Sequence, residues 1–326
     1  MDSMYPLPEA DYGVLVRCFC FNQEKYIEQT LKGFVLQKTS FPFIALIVDD
    51  CSSDGTQAII RKYENEYPDI IKGLYLKENH FSQKKTKMPY VNPWRDRCKY
   101  EAVCEGDDYW VDPLKLQKQY DFLESHPEYC MVYTNIDVFD QQKGVFFRNY
   151  FTDYYKVPSS IREQLVQGGF WAPCSWMMRM DVARKPLPFA SSDGSFVRLL
   201  EMLLRYKIGY IDDVTAVYRK IDESASHSKS CKRLYQYGKG VYKIKQWYME
   251  KYPELIGPAD RDKVDLLFVE NYVHHMVYYR DSEMLKIIKS NKNLKIPVRK
   301  KIWMLLPNFI AKPIIFILHK RKGEAF

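Results

Sequence analysis

Residues 14–35 read Val-Leu-Val-Arg-Cys-Phe-Cys-Phe-Asn-Gln-Glu-Lys-Tyr-Ile-Glu-Gln-Thr-Leu-Lys-Gly-Phe-Val. Up to Phe21 the run is apolar and rich in β-forming residues; beyond Asn22 the apolar positions fall at Ile27, Leu31, Phe34 and Val35, which is helical spacing. The stretch is therefore a strand, a turn and a helix, and the same unit recurs. Phe43–Val48 is a second apolar strand ending in Asp49-Asp50, and Ser52, Ser53 and Asp54 offer N-caps to a helix carrying Ile59, Ile60 and Tyr63. Residues 70–76 read as a third strand and 100–104 as a fourth, which ends at Glu105-Gly106-Asp107-Asp108. Apolar strands without polar alternation, separated by helices, imply a mostly parallel, Rossmann-like α/β sheet covered on both faces. Ligands of such sheets bind beyond the carboxyl ends of the strands, where all five of these acidic residues fall.

Working outward, residues 114–123 form an amphipathic helix and 130–139 a further strand. Aromatics and the Gly168-Gly169 break between 140 and 175 suggest loops over a site. Ser191-Ser192-Asp193-Gly194 precedes a helix through Val197, Leu200, Leu203 and Leu204, a strand follows at 208–211, and 231–251 and 260–290 are helical. The expected domains are a catalytic part over 1–225, a helical C-terminal appendage over 226–291, and a tail over 292–326. The 326 residues, 46% hydrophobic and 28% charged, describe a folded globular chain rather than a disordered one. Eight scattered cysteines include no CxxC pair, and no His stands at zinc-ligand spacing, so they read as reduced core thiols. The paired His274-His275 read as structural. The first residues lack a basic segment followed by an apolar one, so no signal peptide is expected and the catalytic part is placed in the cytoplasm.

Carboxylates at strand ends suit a hard divalent ion and phosphate oxygens. Against that stand ordinary roles: helix N-terminal electrostatics for Asp49 and Asp50, a cap for Asp108, a cap for Asp193. A glycine between Glu105 and Asp107 leaves room for a diphosphate to approach. Lys84, Lys85, Lys87, Arg95 and Arg97 precede the fourth strand, and one or two of them are expected to meet phosphates or an anionic acceptor.

Four stretches, 16–27 (VRCFCFNQEKYI), 47–56 (IVDDCSSDGT), 99–116 (KYEAVCEGDDYWVDPLKL) and 207–219 (KIGYIDDVTAVYR), together resemble the family 2 glycosyltransferases of the GT-A fold. The resemblance implies inverting transfer of a sugar from a nucleotide-diphosphate donor, UDP-linked in the first instance, to a glycan or lipid-linked acceptor during cell-surface polysaccharide synthesis. It places Phe21 beside the base, Asn22 and Glu24 in the same loop, and Asp49 and Asp50 on the uracil or ribose. Glu105 and Asp107 match the metal motif for Mn²⁺ or Mg²⁺, with Asp107 the direct ligand, and Asp108 follows in the same turn. Tyr109 and Trp110 are expected to wall the sugar pocket, with core packing the other job open to Trp110. Arg219, with Ser224 and Ser226 after it, is expected near the diphosphate, although the family's His is missing there and Ile221 and Asp222 stand nearby. Asp193 is the expected base, with Glu201 its substitute; Gly194 departs from the family's usual aromatic. The alternative function is a catalytically degenerate GT-A domain docked beside other glycan-synthesis enzymes. No GxGxxG follows the first strand, which disfavours a dehydrogenase.

The net charge of +8 has an address. Residues 292–326 carry nine Lys or Arg against Glu324 alone, and residues 1–291 hold equal numbers of acids and bases. Within that tail Ile302–Leu318 is apolar but interrupted by Pro307, Asn308, Lys312 and Pro313, too short and broken to span a bilayer. The expected partner is an anionic membrane surface on the inner face of the cell membrane, and no nucleic acid, with packing of the tail on the chain's own body the other role open to it.

Overall fold

The computed structural model describes residues 8, 10–189, 191, 193–221, 230–291 and 294–320. The expected positions Ser192, Asp222, Ser224, Ser226, Lys292, Arg321, Lys322 and Glu324 lie outside them. The chain divides into two units: the first takes residues 1–157, 170–186 and 205–219, and the second takes 158–169, 187–204 and 220–326.

The first unit is built on one sheet. It begins β1 (Tyr12–Cys20), α1 (Ile27–Val35), β2 (Phe43–Asp49), α2 (Thr56–Glu66), β3 (Ile71–Tyr75), α3 (Met88–Arg95), β4 (Cys98–Val103). These four strands pair in parallel in the order β3-β2-β1-β4, so that Val16 on the central strand lies opposite both Ala45 and Ala102. Every residue of β2 is buried, as a strand covered on both faces requires. Beyond β4 the chain continues through β5 (Tyr109–Trp110), α4 (Lys115–Ser125), β6 (Tyr129–Asp140), β7 (Val145–Phe147) and α5 (Tyr150–Asp153). After α6 (Ile161–Gln167) come β8 (Trp176–Arg179), α7 (Met180–Ala183), α8 (Gly194–Arg205) and β9 (Lys207–Lys220). The sheet grows past β4 as β8-β6-β9-β5, and the β4–β8, β6–β8 and β5–β9 pairs are antiparallel. The parallel reading thus covers the half that carries the acidic strand ends, and an antiparallel half completes the sheet.

Two glycines fix close approaches. A Cβ on Gly33 of α1 would stand 2.9 Å from both the backbone N and O of Trp110, so only glycine lets α1 lie against β5. On Gly106 a Cβ would strike Gln23, Cys20 and Ile27, with Cys20 Cβ 2.8 Å away. The space expected for a diphosphate is therefore filled by the loop after β1, and Gly106 is a packing residue.

The second unit is helical: α6, α8, α9 (Cys231–Lys251), α10 (Pro258–Tyr278), α11 (Ser282–Ser290), α12 (Val298–Leu305) and α13 (Asn308–Lys320). Tyr235, Tyr242, Phe268, Val269, Val273 and Met276 form its main core. A cavity of about 200 Å³ opens among Tyr237, Tyr242, Lys245, Phe268 and Tyr272, where burial lowers the Lys245 ammonium to about 8.

Candidate active site

Three loops follow the carboxyl ends of β1, β2 and β4, and hydrogen bonds between side chains and backbone lock them together. Asn22 Oδ1 accepts from Ser53 N at 2.8 Å, and Asn22 N donates to Ser52 Oγ at 2.9 Å. Glu24 Oε2 accepts from Gly55 N at 2.8 Å, while Glu24 N donates to Asp54 Oδ2 at 3.1 Å. Asn22 and Glu24, expected to meet the nucleotide, thus latch the first loop onto the second. Asn22 (φ 51°) and Cys51 (φ 65°) both hold left-handed backbone, a strain that costs more for Cys than for Asn. Phe21, just before Asn22, keeps 45% of its surface exposed, an aromatic face open to a ring.

Asp49 and Asp50 are both buried. Asp49 Oδ2 accepts from Ser52 N at 2.9 Å and Gln57 Nε2 at 2.7 Å. Asp50 Oδ1 accepts from His80 N at 2.8 Å, and its Oδ2 from Phe81 N at 3.0 Å and Lys87 Nζ at 3.1 Å. Burial works to raise the Asp50 pKa, but these donors outweigh it and hold the carboxyl below its ordinary value. Of the five expected loop cations, Lys87 reaches this site. Arg95 is instead buried under it.

The turn Glu105–Asp108 faces β9. Tyr109 pairs with Val217 and Trp110 with Ala216, a register that carries Arg219 opposite Asp107. Arg219 N donates to Asp108 Oδ1 at 2.8 Å, and its Nε donates to the Asp107 carbonyl at 2.8 Å. Its remaining nitrogens donate to Gln141 Oε1 at 2.8 Å and Gln29 Oε1 at 2.6 Å, and the guanidinium lies 5.0 Å from the rings of Tyr26 and Tyr109. Asp108 is thereby committed to β9; α4 begins without a side-chain cap, so the capping role does not fall to it. Trp110 is core: its Nε1 donates to Cys174 O at 2.9 Å, Phe34 meets it edge-on at 4.8 Å, and Lys115 Nζ lies 4.6 Å from its ring. Burial drops that lysine to about 7.

Beneath the turn is an ion cluster that inspection of motifs misses. Glu101, fully buried in β4, meets Arg17 Nε at 2.6 Å and Arg95 Nη2 at 2.6 Å, and Arg17 Nη1 reaches on to Glu105 at 3.7 Å. Burial pushes the Glu101 carboxyl up, but Arg17 and Arg95 overcome it and keep it ionised. The signal was there: one Arg and one Glu each interrupting an apolar strand. Desolvation, opposed by Arg17 and helped by Asp107, raises Glu105; desolvation also raises Asp107 despite Arg219, and raises Asp108, next to Asp107, further. Carboxylates raised chiefly by desolvation, with Asp107 adding to Glu105 and Asp108 and itself partly open to solvent, are the donor set a divalent cation would relieve.

The family model named "Glycosyl transferase family 2" matches residues 18–198, a span that contains all of these loops. The chain belongs to glycosyl transferase family 2. A relative from Mycobacterium tuberculosis, an uncharacterized protein, is 42% identical over 108 residues, 33% of this chain and 30% of its own length. TuaG of Bacillus subtilis, named as a teichuronic acid biosynthesis glycosyltransferase, is 34% identical over 103 residues, 32% of this chain and 38% of its own length. The chain thus spans well under half the length of these curated relatives. A solved mannosyltransferase from Pyrobaculum calidifontis, in complex with GDP-Man and Mn²⁺, superposes with a TM-score of 0.55 at 13% identity, covering 96% of this chain and 89% of that one. At that identity the likeness speaks for the fold, which is GT-A.

Asp193 belongs to the second unit. Its Oδ1 accepts from Phe196 N at 2.8 Å, the bond of a helix cap on α8, and its Oδ2 accepts from Tyr237 Oη at 2.9 Å. Glu201 accepts from Tyr248 Oη at 2.6 Å.

Proposed function

We propose that this family 2 member is an inverting, metal-dependent hexosyltransferase that moves a sugar from a nucleotide-diphosphate donor, UDP-linked, to a glycan or lipid-linked acceptor in cell-surface polysaccharide synthesis. The observation that carries the reading is the convergence of Glu105, Asp107, Asp108 and Arg219 beside the latched loops that hold Asp49 and Asp50. Glu105 and Asp107 would hold Mn²⁺ or Mg²⁺, which when bound supplies charge neutralisation for a departing diphosphate. Arg219 fixes the turn that presents these carboxylates, and its own position is set by Gln29 and Gln141. Phe21 offers its exposed ring to the base. Asp193 takes the proton of the acceptor hydroxyl as the acceptor oxygen bonds to the anomeric carbon and the bond to the diphosphate breaks. The name of TuaG supports a polysaccharide product, and that of EpsE, a Bacillus subtilis glycosyltransferase 31% identical over 121 residues, supports sugar transfer.

The same reading places the protein at the cytoplasmic face of the membrane through residues 292–326. No helix among the described residues is long and apolar enough to cross a bilayer. α12 and α13 turn Trp303, Ala311 and Ile315 towards the core of their unit yet leave Leu305 77% and Phe309 80% exposed, flanked by Lys301 and Lys312. That is the pattern of an interfacial helix pair.

Hydrolysis of a panel of UDP- and GDP-sugars with added Mn²⁺ tests the catalytic reading. Turnover of one donor that disappears in Asp107→Asn supports it; no turnover of any donor favours the degenerate docking domain, a reading that the capping role of Asp193 also favours.

A further inference from the structure

Three residues that the chain keeps far apart meet in the core of the second unit. Cys231 opens α9, His275 lies in the last turn of α10, and His319 stands near the end of α13. All three are buried, and one potential ligand atom from each lies within 4.8 Å of the other two. Cys231 Sγ is 3.8 Å from His319 Nδ1. A tetrahedral zinc ion, about 2.3 Å from sulfur and about 2.0–2.1 Å from nitrogen, holds such a pair roughly 3.6 Å apart. The Cys231–His319 pair therefore needs only a few tenths of an ångström of adjustment to close on an ion, and His275, within 4.8 Å of both, completes the set by a further small shift of its ring.

The surroundings fit that role. A histidine bound through one ring nitrogen uses the other for an outer hydrogen bond that fixes its orientation. His319 has its Nε2 3.3 Å from His274 Nδ1, so with Nδ1 turned to the cluster its Nε2–H can donate to His274. The His275 ring is stacked with Tyr235 at 5.7 Å and stands at 74° to the His319 ring, so the two imidazoles converge edgewise rather than stacking on each other. The thiol sits fully buried in the first turn of α9. One sulfur and two imidazoles are the ligands of a borderline, thiophilic cation and differ in kind from the all-oxygen set at Glu105 and Asp107.

We propose that Cys231, His275 and His319 bind one Zn²⁺ ion, with His274 as the outer partner of His319 and a fourth, exchangeable ligand completing the tetrahedron. Binding forms Zn–S and Zn–N bonds and releases the thiol proton. The ion would fasten the far end of α13, which along its length packs Ala311 and Ile315 against Val277, with Tyr278, Trp303 and Leu306 beside them. This inference does not depend on the sugar-transfer reading.

Cobalt titration of the chelator-treated full-length protein tests it, with Co²⁺ as the spectroscopic probe and Zn²⁺ as the competitor. The expected result is one Co²⁺ per chain with a thiolate-to-cobalt charge-transfer band and the intense visible absorption of a tetrahedral site, both abolished by Zn²⁺. His319→Ala, in the last turn of the described chain, and Cys231→Ser should each lose the band. His274→Ala should keep it while weakening Zn²⁺ by about 10–100-fold. Asp107→Asn should leave it intact, since an oxygen site gives no thiolate band. Absence of that band in the wild-type protein, or its survival in His319→Ala folded by circular dichroism, would show a hydrogen-bonded polar cluster and overturn the proposal.

Discussion

Glu101 holds two largely buried guanidinium groups, and its removal exposes what the site rests on. Glu101→Gln leaves Arg17 and Arg95 as buried charges without a full counterion, and unfolding by urea should show a loss of about 3–5 kcal/mol. Donor affinity should fall with it, because Arg17 also steadies Glu105 at 3.7 Å. Asp193 poses a different question, since it caps α8 and is also the proposed base. Asparagine caps as well as aspartate but cannot accept the proton. Asp193→Asn should therefore unfold within a few degrees of wild type while kcat falls by roughly 10²–10⁴-fold; unchanged kcat would leave Asp193 a cap alone.

At the scale of elements, the parallel half was readable because each strand is a buried apolar run ended by acids or polar turn residues. The antiparallel half was not. β8 is four residues long and follows directly on the 140–175 stretch whose aromatics read as loops, and its pairing with β4 and β6 depends on register that no local pattern states. Among the candidate site residues, the place of Asp49, Asp50 and the 105–108 turn at strand ends was legible, but the bonds that Asn22 and Glu24 make were not, because both reach a loop some thirty residues on. The Cys231 cluster was hidden for the same reason, its members being joined only by the packing of three helices. Packing also makes Gly33→Ala a sharp probe: its methyl must displace the Trp110 backbone, and thermal unfolding should register about 1–3 kcal/mol. On the tail, Leu305→Glu with Phe309→Glu removes two exposed apolar side chains worth about 1.5–3 kcal/mol each when buried. Sedimentation with anionic vesicles should drop at least tenfold, and unchanged binding would refute the membrane reading.

For the whole molecule, the raised carboxyls of Glu105, Asp107 and Asp108 set a pH dependence of definite sign. The folded state holds these protons more tightly than the unfolded chain, so stability is greatest below the ordinary carboxyl range and falls as pH rises towards the elevated native values. A bound divalent ion reverses that slope, since it binds the ionised form. Melting curves should show Mn²⁺ stabilising little at acid pH and more at neutral pH, and Asp107→Asn should remove most of the difference. An Mn²⁺ effect independent of pH would mean that the ion binds elsewhere.

The register between β5 and β9 also bears on how the protein is made. Arg219 closes the Asp107–Asp108 turn from 112 residues further along the chain. On a ribosome, where domains fold in order of synthesis, the loops after β1 and β2 can latch early, while the acidic turn waits for a strand that emerges last from the first unit. A nascent chain halted before residue 219 would display the apolar sheet but not the closed Asp107–Asp108 turn. On the proposed function, competence to bind a nucleotide donor would arrive in one late step, and a half-made chain would have no means of capturing it.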